Sequence, residues 1–148
     1  MRVVLQVVQN ASVTIDKKVY SEIESGYLLL VSFTMGDNLE TIKKVIDKII
    51  SLRIFPDENG KTNCAFDINK QEVLCVSQFT LYADIKHGRR PSFTNCLNPK
   101  DANELYGQTI DYLKQLNVKT KTGVFGADMK VNLLNDGPFT LMIDSEDL

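Results

Sequence analysis

The chain has 148 residues, of which 43% are hydrophobic and 24% are charged, and its formal net charge is −2. This size and composition are typical of one globular domain, residues 1–148, that can bury a core without disulfides or a metal. The negative charge argues against a protein that coats nucleic acid, and the single histidine, His87, excludes a two-histidine metal site within the chain. No apolar run approaches the roughly 20 residues of a membrane span, and no segment resembles a signal peptide. The sequence also contains no Cys-x-x-Cys motif. We therefore expect a cytoplasmic protein.

The first part of the chain is predicted to form strands. Runs rich in β-branched residues at 3–8, 11–15 and 19–23 predict three short strands. The unbroken apolar run at 27–33 predicts a fourth strand that is buried on both faces.

A change of hydrophobic period after Asp37 predicts the first helix. Apolar residues recur at helical spacing, and Asp37 with Glu40 is expected to form a capping box. Phe55-Pro56 ends the helix. A strand is predicted over 72–81, and the polar stretch 84–92 is predicted to be a loop.

The last part of the chain predicts a second helix followed by strands. Asn98-Pro99 supplies an N-cap and a proline at the first helical position, and an amphipathic stripe continues to Leu116. Strands are predicted over 118–122, 129–134 and 139–143. About eight strands and two helices, without regular βαβ alternation, indicate the α+β class.

Three segments carry residues suited to chemistry. Ser77-Gln78-Phe79-Thr80 places polar side chains where a strand meets a loop, although it also fits a simple strand end. Lys86, Arg89 and Arg90 lie in a basic loop that ends at Phe93, which suits either phosphate contact or a solvated surface. The segment 135–140 is predicted to be a turn between strands. No P-loop or dinucleotide motif is present, so no cofactor is expected.

In order and spacing, six segments resemble the D-aminoacyl-tRNA deacylase family across the whole chain. They are Ala11-Ser12-Val13, Arg53-Ile54-Phe55, Ser77-Gln78-Phe79-Thr80-Leu81, Gly88-x-Arg90-Pro91-Ser92-Phe93, Gly123-x-Phe125-x-Ala127-x-Met129 and Asn135-Asp136-Gly137-Pro138-x-Thr140. The resemblance implies a compact β-barrel-like sheet with two flanking amphipathic helices. It also implies a homodimer that hydrolyses the ester between a D-amino acid, or glycine, and the 3′-terminal adenosine of tRNA, with no metal and no cofactor.

The resemblance also assigns site residues. Ser77, Gln78, Phe79 and Thr80 match the catalytic strand of the family, and Phe125, Ala127 and Met129 match the segment that lines the adenosine side. Gly137 and Pro138 match a Gly-cisPro motif that enters the partner subunit's pocket and excludes L-amino acids. Val7 stands where the family usually has a basic residue.

Two hydrolytic mechanisms remain open. Thr80 could act as the nucleophile, but it would need a base, and the sequence offers only His87. Alternatively, the terminal 2′-hydroxyl of the tRNA assists, while backbone N–H groups of Gln78, Phe79 and Thr80 bind the oxyanion. The second mechanism is favoured because no convincing base is present.

Two other classes of protein remain as alternatives. One is a non-enzymatic, dimeric RNA-binding barrel in which Phe79, Phe93 and Phe125 stack on bases. The other is a general hydrolase of small esters. Turnover of aminoacyl-tRNA, compared with turnover of simple esters, separates the three classes.

Overall fold

The computed structural model describes residues 1–148 and contains two α-helices, eight strands and two short 3₁₀ helices. In chain order the elements are β1 (Arg2–Ile15), β2 (Lys18–Ile23), β3 (Gly26–Ser32), α1 (Leu39–Ser51), β4 (Phe55–Pro56), β5 (Thr62–Cys64), β6 (Glu72–Ser77), a 3₁₀ helix (Phe79–Tyr82), α2 (Pro99–Gln115), β7 (Lys119–Thr122), β8 (Lys130–Asp144) and a 3₁₀ helix (Ser145–Asp147). Neither α-helix has the length and apolar character needed to cross a membrane.

Six of the strands form one mixed, strongly curved sheet. Its order is β2-β1-β3-β6-β7, and β8 pairs with β1. The β3–β6 and β6–β7 pairs are parallel, whereas β1 is antiparallel to β2, β3 and β8. The Ser21 hydroxyl on β2 donates to the Thr122 carbonyl on β7 at 2.7 Å, which brings the two ends of the path together. The expected α+β class with a barrel-like sheet is confirmed.

The predicted number of strands agrees with the structure, but their boundaries differ. The two runs at 3–8 and 11–15 form the single strand β1, because its first half pairs with β3, its second half with β2, and β8 runs along nearly all of it. The predicted strands at 129–134 and 139–143 likewise join in β8. The short pair β4–β5 was not predicted.

The two sides of the sheet bury separate apolar clusters. The larger cluster lies between the sheet and the helices, and α1 contributes Ile42, Val45, Ile46 and Ile49 to it. Full burial of each such side chain contributes about 2 kcal/mol. The smaller cluster fills the curve of the sheet and includes Leu28. β3 contributes to both clusters, so the predicted two-sided burial is confirmed.

One of the two predicted helix N-termini is confirmed and the other is wrong. α2 begins as predicted, since the Asn98 side chain accepts from the Asp101 N–H at 3.1 Å and Pro99 is the first helical residue. The predicted capping box of α1 is wrong. Asn38 is the N-cap and forms the box with Thr41, whereas the Asp37 carboxylate turns back to accept from the Thr34 N–H at 2.8 Å.

Candidate active site

An apolar cavity of about 650 Å³ lies at the carboxyl end of β6. The start of α2 and the connection between β7 and β8 form its other walls. The cavity brings together six of the predicted site residues, which are Ser77, Gln78, Phe79, Phe125, Ala127 and Met129. No group of three or more His, Cys, Asp or Glu side chains is arranged to hold a metal ion.

The remaining predicted site residues do not line this cavity. Thr80 is exposed beside it, and its hydroxyl oxygen accepts from the Gln78 amide at 2.5 Å. Gly137 and Pro138 lie on β8, outside the cavity of their own chain. Lys86, Arg89 and Arg90 are exposed in the loop that follows the first 3₁₀ helix, as is His87.

The chain turns sharply after β6, so the predicted strand over 72–81 is wrong beyond Ser77. The Gln78 N–H makes the last sheet-like bond, to the Val31 carbonyl at 2.8 Å. The Leu81 N–H then bonds the Gln78 carbonyl at 3.3 Å and starts the 3₁₀ helix. Tertiary contacts at this turn override the strand propensity of Thr80.

This turn decides which backbone N–H groups could bind an oxyanion. The first N–H groups of a helix have no intrahelical acceptor, and here they belong to Phe79 and Thr80. The expected contribution of the Gln78 N–H is wrong, because that group is committed to β3.

Hydrogen bonds next to the cavity tie β6 to α2 and to the chain that follows β7. The Tyr106 hydroxyl donates to the Cys75 carbonyl at 2.7 Å, and the Gly123 N–H donates to the same oxygen at 3.1 Å. Burial raises the pKa of Tyr106. The Tyr106 ring also packs against Phe125, with 6.0 Å between centroids. Sequence reasoning did not select Tyr106, whose only signal was a polar tip on the apolar stripe of α2.

Two exposed phenylalanines form the rim of the cavity. The rings of Phe79 and Phe93 meet edge to face, with centroids 5.0 Å apart and an angle of 62°. Phe79 is 54% exposed and Phe93 is 40% exposed. Exposed aromatic faces next to a cavity are suited to stacking on a base.

The segment predicted to be a turn at 135–140 is instead a bulge within β8. Gln6 pairs with Thr140 and Val8 pairs with Asn135. One residue of β1 between these pairs therefore lies opposite four residues of β8. The three extra residues carry Gly137 and Pro138 away from the sheet. The peptide bond between these two residues is cis.

Amide side chains hold the bulge. Asn135 accepts from the Phe139 N–H at 3.0 Å and donates to the Thr140 hydroxyl at 2.8 Å. Gln6 donates to the same hydroxyl at 3.3 Å, and Gln9 donates to Asp136 at 3.3 Å. Val7, which lies opposite the bulge, is buried in the larger apolar cluster and makes no polar contact there.

The basic loop is closed at its base. Asp84 and Ser92 exchange two backbone hydrogen bonds of 2.8 Å, so the cations between them project outward. Arg2 anchors the 3₁₀ helix that precedes this loop, because its guanidinium donates to the Leu81 carbonyl at 3.1 Å. The same guanidinium is held by a hydrogen bond to the Asp144 carboxylate at 2.7 Å. The sequence contained no local signal for this anchor.

A concave apolar cavity with a few convergent polar groups, placed where a strand gives way to a turn, defines a small-molecule site of the enzyme type. A family model described as D-Tyr-tRNA(Tyr) deacylase matches residues 4–144. The chain therefore belongs to the D-Tyr-tRNA(Tyr) deacylase family, and the expected resemblance is confirmed.

Individual relatives agree with this assignment over nearly their full length. The chain is 50% identical to a D-aminoacyl-tRNA deacylase of Thermosipho africanus over 147 residues, which cover 99% of this chain and 98% of the relative. It is 49% identical to one of Lactobacillus gasseri over 144 residues, covering 97% and 99%.

Two solved structures share the fold. One, named c-Myc DNA Unwinding Element Binding Protein, has a TM-score of 0.91 at 33% identity and covers 97% of this chain and 98% of its own. The other is described as a probable eukaryotic D-amino acid tRNA deacylase. Its TM-score is 0.84 at 16% identity, with coverage of 96% and 97%, and it supports the fold alone.

Proposed function

We propose that the protein is a D-aminoacyl-tRNA deacylase, which hydrolyses the ester between a D-amino acid and the 3′-terminal adenosine of tRNA. Water adds to the ester carbonyl, the bond to the ribose oxygen breaks, and the products are the free amino acid and tRNA. The observation that carries this proposal is the turn after β6, where the amides of Phe79 and Thr80 begin a 3₁₀ helix at the edge of an apolar cavity.

The proposed catalysis relies on orientation and on oxyanion binding. An aminoacyl ester is already activated, and one oxyanion donor contributes on the order of 3–4 kcal/mol. A nucleophilic Thr80 would need a base, but the hydroxyl is bonded to the amide of Gln78, which donates and cannot take a proton. We therefore assign the activation of water to the terminal 2′-hydroxyl of the tRNA.

Rejection of L-amino acids is assigned to Gly137 and Pro138 of a second copy of the chain. Glycine lets backbone approach the substrate without a Cβ, and the proline ring restricts the backbone behind it. The bulge that carries them is exposed and held by side-chain hydrogen bonds. An L side chain would collide with this wall, whereas glycine has no side chain to collide, so glycyl-tRNA, including glycine mischarged on tRNA(Ala), is also proposed as a substrate.

The proposed homodimer uses the free edge of β8. That strand pairs only with β1, and its exposed side chains include Leu134 at 51% and Met142 at 67%. An open edge with exposed apolar residues is a surface that a partner would cover. The bulge lies on the same strand, so a partner placed there would receive it.

Phosphate contacts are assigned first to Lys86, Arg89 and Arg90, which project from the closed base of the loop near the rim. Lys114, Lys119 and Lys121 are also exposed and available. Lys130 is a weaker candidate because it pairs with Asp128 at 2.7 Å. The net charge of −2 favours modest affinity, and contacts to phosphate should make that affinity fall as salt rises.

A nucleic-acid-binding protein without hydrolytic activity is the second candidate. It is favoured by the exposed Phe79–Phe93 pair and by the 33% identical structure, whose name describes a protein that binds a DNA element. In that case the rings would stack on bases, and no ester would be cleaved.

Release of amino acid from D-tyrosyl-, L-tyrosyl- and glycyl-tRNA by the purified protein tests the proposal. We expect rapid hydrolysis of the D-tyrosyl and glycyl esters while the L-tyrosyl ester is spared. Binding of tRNA without turnover would favour the second candidate. Equal turnover of a simple amino acid ester that lacks adenosine would favour a general esterase.

A further inference from the structure

Ser32 is a buried polar residue at the end of an apolar strand. It is 1% exposed. The other buried polar residue, Thr109, donates its hydroxyl to the Leu105 carbonyl of its own helix. Ser32 instead reaches out of its strand and donates to the Phe79 carbonyl at 3.1 Å. Most buried hydroxyls in proteins are hydrogen-bonded, and the partner of Ser32 belongs to the turn that follows β6.

The Cys96 thiol donates to the same oxygen. Its Sγ lies 3.2 Å from the Phe79 carbonyl oxygen. Burial raises the pKa of the Cys96 thiol, so it keeps its proton and its capacity to donate at neutral pH. Two backbone hydrogen bonds hold the segment around Cys96. The Cys96 N–H donates to the Phe93 carbonyl at 3.0 Å, and the Leu97 N–H donates to the Phe33 carbonyl at 2.9 Å.

The Phe79 carbonyl and the Thr80 N–H belong to one peptide unit. The only cis peptide in the chain is Gly137–Pro138, so the unit between Phe79 and Thr80 is trans. In a planar trans peptide the C=O and N–H bonds point in opposite directions. Fixing the carbonyl therefore fixes the direction of the N–H.

We propose that Ser32 and Cys96 are positioning residues that jointly hold the Phe79 carbonyl and thereby aim the Thr80 N–H at the oxyanion of the reacting ester. This inference rests on the proposed deacylase function. Ser32 lies outside the cavity and Cys96 is one of its lining residues, but in this role both act through the Phe79 carbonyl. Oxyanion donors contribute most when their direction is set before the reaction, because no reorganisation is then needed as charge develops.

Substitution of each residue, alone and together, tests the proposal. We expect Ser32→Ala to lower kcat for D-tyrosyl-tRNA about tenfold and Cys96→Ala about threefold, with KM changed less than twofold. Each single variant keeps one donor, so the double variant is expected to lose more than the product of the two, about a hundredfold. Cys96→Ser and Ser32→Cys, which keep a donor, should restore most of the rate.

Thr109→Val is the matched control. It removes a buried, hydrogen-bonded hydroxyl that does not contact the turn, so kcat should stay within twofold of the wild type. A second readout, independent of activity, is the amide NMR resonance of Thr80. We expect it to shift in the double variant and to remain in place in Thr109→Val.

Three outcomes would overturn the proposal. A folded double variant with wild-type kcat and an unmoved Thr80 resonance would show that the carbonyl needs neither donor. An equal loss of kcat in Thr109→Val would assign the effect to general loss of stability. Absence of turnover by the wild-type protein would contradict the deacylase function and this inference with it. Turnover by the wild-type protein together with wild-type kcat in the Ser32 and Cys96 variants would contradict only the inference.

Discussion

Met129 occupies the space directly in front of Gly123. A Cβ built on Gly123 would overlap the Met129 Sδ. The backbone at Gly123 cannot move away freely, because its N–H is bonded to the Cys75 carbonyl at 3.1 Å. The absence of a side chain at Gly123 therefore sets where Met129 enters the cavity wall.

Gly123→Ala should displace the Met129 side chain and reshape the cavity. Because a methionine is flexible, we expect the fold to survive at a cost of about 1–3 kcal/mol in the free energy of unfolding. KM for D-tyrosyl-tRNA should rise about fivefold. Gly107→Ala on α2 is the control, since a Cβ there meets nothing within 4 Å. An unchanged KM in Gly123→Ala would contradict the role of Met129 in the wall.

Gly137→Ala should weaken discrimination between D and L substrates. Gly137 has φ +127°, and an added Cβ would lie 3.0 Å from the Phe139 nitrogen, so the bulge must change shape. We expect the ratio of kcat/KM for D- over L-tyrosyl-tRNA to fall at least tenfold. Gly60→Ala is the control, because it also places an alanine at positive φ, +74°, but in open space and away from the bulge. An unchanged ratio in Gly137→Ala would argue against the wall.

Thr80→Ala separates the two hydrolytic mechanisms. The variant loses the hydroxyl bonded to Gln78 but keeps the backbone N–H. We expect kcat to fall by less than about tenfold. Removing a true nucleophile costs on the order of 10⁶-fold in subtilisin. Near-complete loss of single-turnover hydrolysis by a folded variant would therefore assign nucleophilic attack to Thr80.

The double substitution Arg89→Ala with Arg90→Ala tests the proposed phosphate contacts. Both side chains are exposed, so folding should be unaffected. We expect weaker tRNA binding and a slope of log affinity against log salt that is reduced by about 1.5, which corresponds to two lost contacts. Lys44→Ala with Lys48→Ala on α1 makes the same change in net charge elsewhere and should leave the slope unchanged.

Asp144→Asn should lower stability in a pH-dependent manner. Burial raises the pKa of Asp144, but the hydrogen bond from Arg2 and that from the Glu146 N–H outweigh it, so the pKa lies below its ordinary value. The stabilisation is therefore present above the unfolded pKa, near 4, and is lost as the pH falls through the lower folded pKa.

Urea unfolding of the wild type and Asp144→Asn measures this effect. At pH 7 we expect the variant to be about 1 kcal/mol less stable, because Arg2 is partly exposed and the ion pair is screened by solvent. The difference should shrink below about pH 4. A constant difference at all pH values would mean that the carboxylate charge is not what stabilises the contact.

Much of the fold was determined by the sequence itself. The apolar run of β3, the hydrophobic stripe of α1 and the Asn98-Pro99 start of α2 depend on residues a few positions apart, so their patterns are visible without a structure. The order of the short motifs was sufficient to indicate the family. The same motifs selected six residues that line one cavity, including Ser77 and Met129.

Tertiary structure decided the features that join distant parts of the chain. β1 is one strand because different neighbours pair with its two halves, and the bulge at Gly137 arises from a register that only β1 sets. The turn after Ser77 begins where the Gln78 N–H makes its last bond to Val31 on β3 and the Leu81 N–H bonds back to the Gln78 carbonyl. Ser32 meets the Phe79 carbonyl across 47 positions of sequence. Local patterns encode period and propensity, whereas pairing partner and register depend on segments far along the chain, which is why the elements were predictable and the geometry of the site was not.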